Sequence, residues 1–417
     1  MGFQFGLSGM NAASKNLDVI GNNIANANTT GFKSSRTEFT QMFGSALGSS
    51  SNPVSGQGVS VGAISQQFLQ GNVSATGNAL DVAVNGNGFL QLELADASTA
   101  YTRAGNLQID KDGQLVNRQG AKVMGFETDP VTKSITSRTP SAITVPLDKG
   151  IVGQKTSTIT AKVNLDAGAD SYIGATNPPD YKTYSSSLDV YNSQGKAIPV
   201  NLYFVKSAST VPNSWEVHYQ VDSDAEITIG ISNLLSTVTF KNDGSFNAAT
   251  PTAPTAPTIP LNEADGTTPV NPATTVDLTG LTQLASKFSV SKLSQDGYAS
   301  GDLNSVSIEP DGTVLARYSN GLSLSQGQLV LAKFNNLQGL ASTTGGNWIQ
   351  TPSSGEPITG APNSGNFGTL QSGSLEESNV DLTAELVNMM TAQRSYQANA
   401  QTLKTQDQVM STLVNLR

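Results

Sequence analysis

Residues 382–417 of the chain read LTAELVNMMTAQRSYQANAQTLKTQDQVMSTLVNLR. Apolar side chains recur in this stretch at three-, four- and seven-residue intervals, which is the spacing of one face of an α-helix. The stripe consists of Leu382, Leu386, Met389, Tyr396, Ala400, Leu403, Met410 and Val414. Heptad spacing favours a long and shallow crossing with another helix. The sequence therefore predicts a C-terminal helix that packs along a second helix.

The start of this helix carries its own signals. Ser378 and Asp381 have the spacing of a capping box, in which two side chains satisfy the first free N–H groups of a helix. Acidic residues gather near the start and Lys404 lies towards the end, as the helix dipole favours. We expect nearly forty helical residues, with a length of roughly 60 Å.

The N-terminus carries a similar but weaker stripe, over residues 1 to about 28. Its apolar members are Leu7, Met10, Leu17, Ile20 and Ile24. Glycine and asparagine at Gly9, Gly21 and Asn22 each disfavour a helix by roughly 0.5–1 kcal/mol relative to alanine. We expect this helix to be largely unfolded alone, to pair with the C-terminal helix, and to leave part of that helix for neighbouring molecules.

The body between the two helices has the alternation of β-strands. Leu80–Val84 and Phe89–Leu94 flank Asn85-Gly86, which predicts a hairpin. Two further hairpins are predicted around Asp112-Gly113 and Asp311-Gly312. Because the last two resemble each other across a long middle region, we expect one β domain interrupted by an insertion.

The insertion has strand patterns of its own. These are Ser157–Val163, Ser187–Tyr191, Val200–Val205, Trp215–Val221, Glu226–Ile231 and Ser236–Phe240. They leave open whether the insertion is a barrel or a sandwich. The Thr/Pro-rich tract Ala248–Pro260, continuing to Pro272, is predicted to be an exposed, extended loop.

The fold class that follows is mostly β with α-helical termini, in which discontinuous β domains are nested by insertion. We predict a helical, coiled-coil domain from residues 1–32 with 374–417, and an extended connecting arm at 33–70. An inner β domain would comprise 71–145 with 289–373, and an inserted outer β domain 146–288.

Composition excludes several classes of function. The net charge of −9 argues against a nucleic-acid partner, which selects a basic surface. The absence of cysteine excludes disulfides and thiol chemistry. No apolar run approaches the roughly 20 residues that cross a bilayer, so membrane insertion is not expected. The start lacks the pattern of a cleaved signal peptide, and these bulk properties alone favour a cytosolic protein.

Candidate chemical sites are few. Asp110, Asp112 and Gly113 resemble the opening of a calcium loop, but Ala121 stands where the closing glutamate is required, so a hairpin turn is favoured. His218 is the only histidine and lies in an alternating strand without a legible catalytic partner. We expect no enzyme activity, cofactor or metal.

Both termini resemble the axial protein family of the bacterial flagellum, which includes the rod, hook and hook-associated proteins. The N-terminal signature is NNIANANTTGFK at 22–33, and the C-terminal one is GSLEESNVDL at 373–382. The signature residues are Asn22, Asn23, Asn26, Thr30, Gly31, Phe32, Lys33, Ser378, Asn379, Val380 and Asp381. Residues 80–84, 88–89 and 101–106 resemble the inner β domain of the same family. The large insertion favours the hook branch over the distal rod branch.

The resemblance implies a self-assembling subunit of the extracellular hook, exported unfolded through the flagellar type III apparatus. Further implied partners are the hook cap protein, the distal rod protein and the hook–filament junction protein. The terminal helices would line the inner wall of a curved tube that transmits torque as a universal joint. A rod subunit, or a β-rich surface adhesin anchored by its helices, remains the alternative at this point.

Overall fold

The computed structural model describes residues 2–43, 56–147, 150–171, 184–207, 211–221, 234–250, 257–259 and 273–415. The chain folds into two compact units. The first comprises Met1–Leu147, Ser305–Arg317 and Ser323–Arg417. The second comprises Asp148–Asn304 and Tyr318–Leu322. The second unit therefore ends beyond the predicted boundary at 288, because a strand at Ser289–Gln295 pairs within it.

Two α-helices belong to the first unit. Helix α1 spans Gly2–Ala25 and helix α2 spans Leu382–Asn415, a length of about 51 Å for its 34 residues. Asp381 caps α2, since its Oδ1 accepts the N–H of Thr383 at 2.9 Å and that of Ala384 at 3.2 Å. The predicted capping box is wrong, because the Ser378 hydroxyl accepts the N–H of Val380 instead. No described helix has the length and apolarity of a membrane span.

A β-ribbon follows α1, where the sequence predicted only an extended arm. Strand β1 (Ser35–Phe43) pairs antiparallel with β2 (Gly56–Gln66). The alternation of these strands is masked by glycine and serine, and the register shifts after Glu38, opposite Gly62. Such a bulge breaks the period of two by which a strand is recognised.

The remaining strands of the first unit are short and mostly antiparallel. They are β3 (Val73–Ala75), β4 (Val82–Asn85), β5 (Phe89–Glu93), β6 (Thr99–Thr102), β7 (Leu107–Ile109), β8 (Leu115–Asn117), β9 (Lys122–Thr128) and β10 (Ile135–Ala142). After the second unit follow β21 (Leu303–Ile308), β22 (Thr313–Tyr318), β23 (Ser323–Leu329), β24 (Leu331–Lys333), β25 (Ala341–Thr343), β26 (Asn347–Ile349), β27 (Ile358–Gly360), β28 (Thr369–Ser372) and β29 (Ser374–Glu376). The main sheet includes the order β22-β23-β9-β5-β6-β26-β25. Its aromatic core packs Phe89 against Trp348 and Tyr101 against Phe334, with ring centroids 5.4 and 4.7 Å apart.

One predicted hairpin is wrong, although both of its strands exist. β4 pairs with β28, near the C-terminus, while β5 pairs with β6, β9 and β24. Gly86 and Gly88 between them adopt φ of 104° and 128°, so the predicted turn residues do take a glycine conformation, but β4 and β5 pair with other strands. The hairpins β7–β8 and β21–β22 are confirmed.

The second unit contains two five-stranded sheets that share one core. The first sheet orders β12 (Ser185–Tyr191), β13 (Ala197–Lys206), β14 (Ser214–Val221), β15 (Leu234–Phe240) and β16 (Phe246–Thr250). The second places β18 (Thr274–Asp277), β19 (Thr282–Leu284) and β20 (Ser289–Gln295) on β11 (Thr158–Asp166), with β17 (Thr258–Ile259) on β18. Side chains of both sheets, including Ile159 and Trp215, meet in that core, which makes this unit a sandwich.

Two predictions for this unit, a strand at 226–231 and an exposed loop at 248–272, are not matched by the described residues. The predicted strand Glu226–Ile231 is outside the described residues. The Thr/Pro-rich tract is not all exposed loop, because Ile259 lies in β17 and is fully buried, and β16 extends to Thr250. Residues 251–256 and 260–272 of the tract lie outside the described residues. A single apolar residue in a polar tract is enough to anchor a short strand, which composition averages conceal.

Candidate functional site

The two terminal helices pack against each other at a seam of small residues. A Cβ built on Gly6 would lie 3.1 Å from Cγ of Leu403, and one built on Gly9 would lie 2.7 Å from Oδ1 of Asn399. Both distances are shorter than ordinary carbon contacts, so a larger residue at Gly6 or Gly9 would require the Leu403 or Asn399 side chain to move. Gly9, which weakens α1 as an isolated helix, thus leaves room for a side chain of α2.

The structure divides the predicted stripe residues between two faces. Ile20 is buried, and Met10, Leu17, Ile24, Met389 and Leu403 are partly buried. Leu7, Leu382, Leu386, Tyr396 and Met410 are exposed, while Val414 lies in the last turn of α2. The buried face also uses Ala12, Ala13, Val19 and Ala392. The sequence interpretation missed these because it followed large side chains, whereas the close seam selects small ones.

Three sequence motifs meet at one buried carboxylate, that of Glu376 in β29, whose side chain is 0% exposed. Its Oε1 accepts hydrogen bonds from Lys33 Nζ at 2.6 Å and from the Gly71 N–H at 3.0 Å. Its Oε2 accepts one from Arg103 Nη1 at 3.2 Å. Lys33 closes the N-terminal signature, Arg103 lies in the 101–106 motif and Glu376 in the C-terminal one. We call Lys33, Arg103 and Glu376 the junction cluster.

Each cation of the junction cluster is also tied to the backbone. Lys33 Nζ donates to the Leu69 carbonyl at 2.7 Å. Arg103 Nη2 donates to the Gly86 carbonyl at 2.8 Å, and its guanidinium carbon lies 5.2 Å from the ring centroid of Phe89. Burial lowers the pKa of Lys33, although the Glu376 carboxylate beside it acts in the opposite direction. The cluster therefore ties the chain that leaves α1 and the chain that leads into α2 to the β-strands of the first unit.

Asparagines of the two signatures extend this connection. Asn23 exchanges two hydrogen bonds with the backbone of Ser35, at 2.8 and 2.9 Å, and donates to Glu385 Oε1 at 3.2 Å. Asn379 accepts the N–H of Ser34 and donates to the carbonyl of Gln67, at 2.8 and 2.7 Å. Each amide thus joins one helix end to the β1–β2 ribbon, which side chains of asparagine achieve because they donate and accept at once.

The other signature residues shape the turn between α1 and β1. Gly31 has φ of 70°, and its N–H donates to the Glu376 carbonyl at 2.8 Å. A Cβ there would lie 2.6 Å from the backbone nitrogen of Ala104, so the position excludes other residues. The remaining members, Asn22, Asn26, Thr30, Phe32 and Val380, lie in or beside the two helix ends. The Phe32 carbonyl accepts a hydrogen bond from the N–H of Asn379 at 3.4 Å.

A groove of about 1100 Å³ lies between α1, α2 and the β1–β2 ribbon. Its floor includes Ala13 and Ile20, and its α2 wall extends from Glu385 to Asn399. Two buried polar atoms at the groove, Thr37 Oγ1 and Glu385 Oε2, have no hydrogen-bond partner among the described residues. We call this the helix groove.

The remaining chemical candidates of the sequence lie in a turn and in a strand. Asp110 Oδ1 accepts the N–H groups of Asp112 and Gln114 at 3.0 and 2.8 Å, which confirms the hairpin turn. His218 lies in β14 with Nε2 3.4 Å from Glu216 Oε2. In the described part of the chain, no group of three or more His, Cys, Asp or Glu residues is placed to hold a metal ion.

Four family profiles match segments that follow one another along the chain, and residues 34–82 and 299–370 lie between the matched segments. Residues 3–33 match the flagella basal body rod protein family, and residues 83–165 match the flagellar hook protein FlgE/F/G D1 domain. Residues 164–298 match the flagellar basal body protein FlaE D2 domain, and residues 371–416 the C-terminal segment of the flagellar basal body rod FlgEFG proteins.

Full-length relatives agree with these matches. The flagellar hook protein FlgE of Escherichia coli K12 is 39% identical over 425 residues, and that of Salmonella typhimurium LT2 is 40% identical over 427, each covering 100% of both chains. The hook protein of Borreliella burgdorferi is 31% identical and covers 99% of this chain and 98% of its own. A crystal structure of Helicobacter pylori hook protein FlgE2 has a TM-score of 0.54 at 15% identity, covering 73% of this chain and 100% of that one, and supports the fold. The chain belongs to the flagellar hook protein FlgE family.

Proposed function

We propose that the chain is a structural subunit of the bacterial flagellar hook, which assembles from copies of itself into a curved, flexible tube. The observation that carries the proposal is that the paired terminal helices leave large apolar side chains exposed. On α2, Leu386, Val387 and Met390 are each more than half exposed, although the same helix already packs against α1. Large apolar side chains that are exposed close together on one helix favour an interaction site.

A tube is the expected product of such self-association. Contacts between different faces of identical subunits do not close on themselves and generate an open helix of copies. The paired helices supply the inner wall, and the junction cluster carries load from that wall to the β-sheet of the first unit. The low charge of the chain, with 13% charged residues, leaves few ion pairs to fix neighbouring β surfaces in one register. Bending with transmission of torque is the expected mechanical result.

The proposal extends to location and partners. The subunit would reside in the flagellar hook outside the cell after export through the flagellar type III apparatus. It would meet the distal rod protein at one end of the tube, the hook cap protein during growth and the hook–filament junction protein afterwards. The terminal helices are the regions offered to all of these contacts.

Substitution at the seam tests the proposal. Leu403 is partly buried over Gly6, so Leu403→Asp places a charge between the helices and should abolish polymerisation of the purified chain. Gln401→Asp, on the exposed side of the same helix, is the matched control and should polymerise normally.

Sedimentation and electron microscopy provide the measurement. We expect curved, flexible polymers from the unchanged chain and from the control, and none from Leu403→Asp. The protease-resistant β body, which includes the ion-paired Lys33 and Glu376, should be the same in all three, and this separates failed assembly from failed folding. Normal polymers from Leu403→Asp would contradict the seam, and straight, stiff polymers would favour a rod subunit.

A further inference from the structure

Glu385 presents a buried oxygen that nothing in the described part of the chain satisfies. Its Oε1 accepts a hydrogen bond from Asn23 Nδ2, its Oε2 is buried, and Glu385 lines the helix groove. Thr37, which is 7% exposed, lines the same groove and also has a buried oxygen, Oγ1, without a partner among the described residues. A partly buried carboxylate without a counter-charge is costly, so a cation brought to this groove by another molecule would be stabilised.

The helix groove has the dimensions of a short helical segment. Its α2 wall runs from Glu385 to Asn399, which is about 21 Å at the rise of an α-helix. Its floor is apolar and its rim is polar, through residues such as Asn388 and Ser395. An occupant therefore needs an apolar row and a cationic donor within about four turns of helix.

The far face of α2 offers that combination in the same chain. Leu382, Leu386 and Met390 follow one another at four-residue intervals and are 44–53% exposed. Arg394 continues the row one turn later and is exposed. The segment from Leu382 to Arg394 spans about 18 Å, which fits the groove.

Charge complementarity selects Arg394. The terminal helices contain three described cations, Lys15, Arg394 and Lys404, and only Lys15 has an ion partner among the described residues, Asp18 at 3.6 Å. Arg394 lies next to the apolar row, whereas Lys404 lies ten residues beyond Arg394. A guanidinium is also less strongly hydrated than an ammonium and is better suited to an enclosed carboxylate.

We propose that the helix groove of one subunit receives the Leu382–Arg394 face of α2 from a second copy, with the Arg394 guanidinium pairing with the Glu385 carboxylate. This inference rests on the proposed homopolymer and specifies which two surfaces of the chain form it. The same contact buries the exposed apolar row and gives Glu385 a counter-charge.

A charge exchange tests the pairing. Glu385→Arg and Arg394→Glu should each raise the critical concentration for polymerisation about ten-fold or more, because each leaves a like-charged pair in an enclosed contact. The double variant restores opposite charges and should polymerise within about three-fold of the unchanged chain. Lys404→Glu makes the same change of charge further along α2 and should have little effect.

The outcomes separate this inference from the proposed function. If the unchanged chain stays monomeric, both are wrong. If the unchanged chain polymerises, three results would each show that the pairing is wrong while the homopolymer stands. The single variants polymerise normally, the double variant polymerises no better than the single variants, or Lys404→Glu is as impaired as they are.

A second measurement is independent of the charge changes. The chain has no cysteine, so single cysteines report one contact each. Asn388→Cys marks the groove wall and Met390→Cys marks the exposed row. Polymers mixed from these two variants should give cross-linked dimers with a short bismaleimide, at a yield several-fold above that of either variant alone. Equal yields would overturn the proposed docking.

Discussion

Replacing Glu376 with glutamine removes the one carboxylate that Lys33 and Arg103 share. The side chain is fully buried and accepts hydrogen bonds from both cations, at 2.6 and 3.2 Å, and from the N–H of Gly71. Glutamine keeps the shape and one acceptor oxygen. It leaves two buried cations without a counter-charge, and it turns an amide N–H₂ towards one of them.

The expected loss of stability is large. Breaking a buried ion pair by removing one partner costs about 3–5 kcal/mol, against a total unfolding free energy of about 5–15 kcal/mol for a domain. For a cooperative unit of about 150–250 residues, this loss lowers the midpoint of thermal unfolding by about 6–20 °C. The effect should appear in the transition of the first unit, which contains all three residues.

Urea and thermal unfolding of the purified monomer, followed by circular dichroism, measure this loss. Glu377→Gln is the matched control, because Glu377 is exposed and its carboxylate accepts only a 3.4 Å hydrogen bond from Asn72 Nδ2. Lys33→Met added to Glu376→Gln should recover part of the loss, since it removes one uncompensated cation. If Glu376→Gln and Glu377→Gln unfold within about 0.5 kcal/mol of each other, the junction cluster does not hold the helix exits.

Three further predictions follow from single positions. Gly105→Ala should destabilise the first unit by several kcal/mol in urea unfolding, because a Cβ there would lie 1.6 Å from the Val82 carbonyl oxygen. Gly21→Ala, whose Cβ would have nothing within 4 Å, should stabilise α1 by about 1 kcal/mol. Equal changes in unfolding free energy for the two variants would refute the close packing at Gly105. Asp381→Ala should cost about 1 kcal/mol by removal of the cap and Ser378→Ala much less, whereas equal losses would restore the capping box. Burial raises the pKa of Tyr101 to about 12, so its contribution to stability is present below pH ~10 and is lost between about pH 10 and 12. In Tyr101→Phe the unfolding free energy should fall less steeply over this pH range than in the unchanged chain. An equally steep fall in both proteins would contradict the burial of the Tyr101 hydroxyl.

Much of the secondary structure could be predicted from local pattern. The stripe at 382–417 predicted α2, and the turn at Asp112-Gly113 predicted the β7–β8 hairpin. In each case the signal lies within a few residues of the structure that it specifies. The prediction failed at β4, because its partner strand is β28 near the C-terminus and a local turn pattern carries no signal for so distant a pairing.

The candidate site was only half visible in the sequence. The signatures at 22–33 and 373–382 marked the helix ends and gave the family resemblance, yet neither Arg103 nor Glu376 was singled out. Lys33 and Glu376 are 343 residues apart and form no periodic pattern, so no local sequence signal predicts their ion pair. The small residues on the packing face of α1, Ala12 and Ala13, were also missed, because alanine gives little hydrophobic signal.

The sequence by itself determined that both ends of the chain are amphipathic helices around a β body, because periodicity of 3.6 or 2 residues reflects local backbone geometry. Only the tertiary structure decided which side chains pack the helix seam, which remain for a neighbour, and where three charges are buried together. Those outcomes depend on burial, since a carboxylate, a lysine and an arginine that water would screen at a surface become a tightly coupled cluster when no water reaches them.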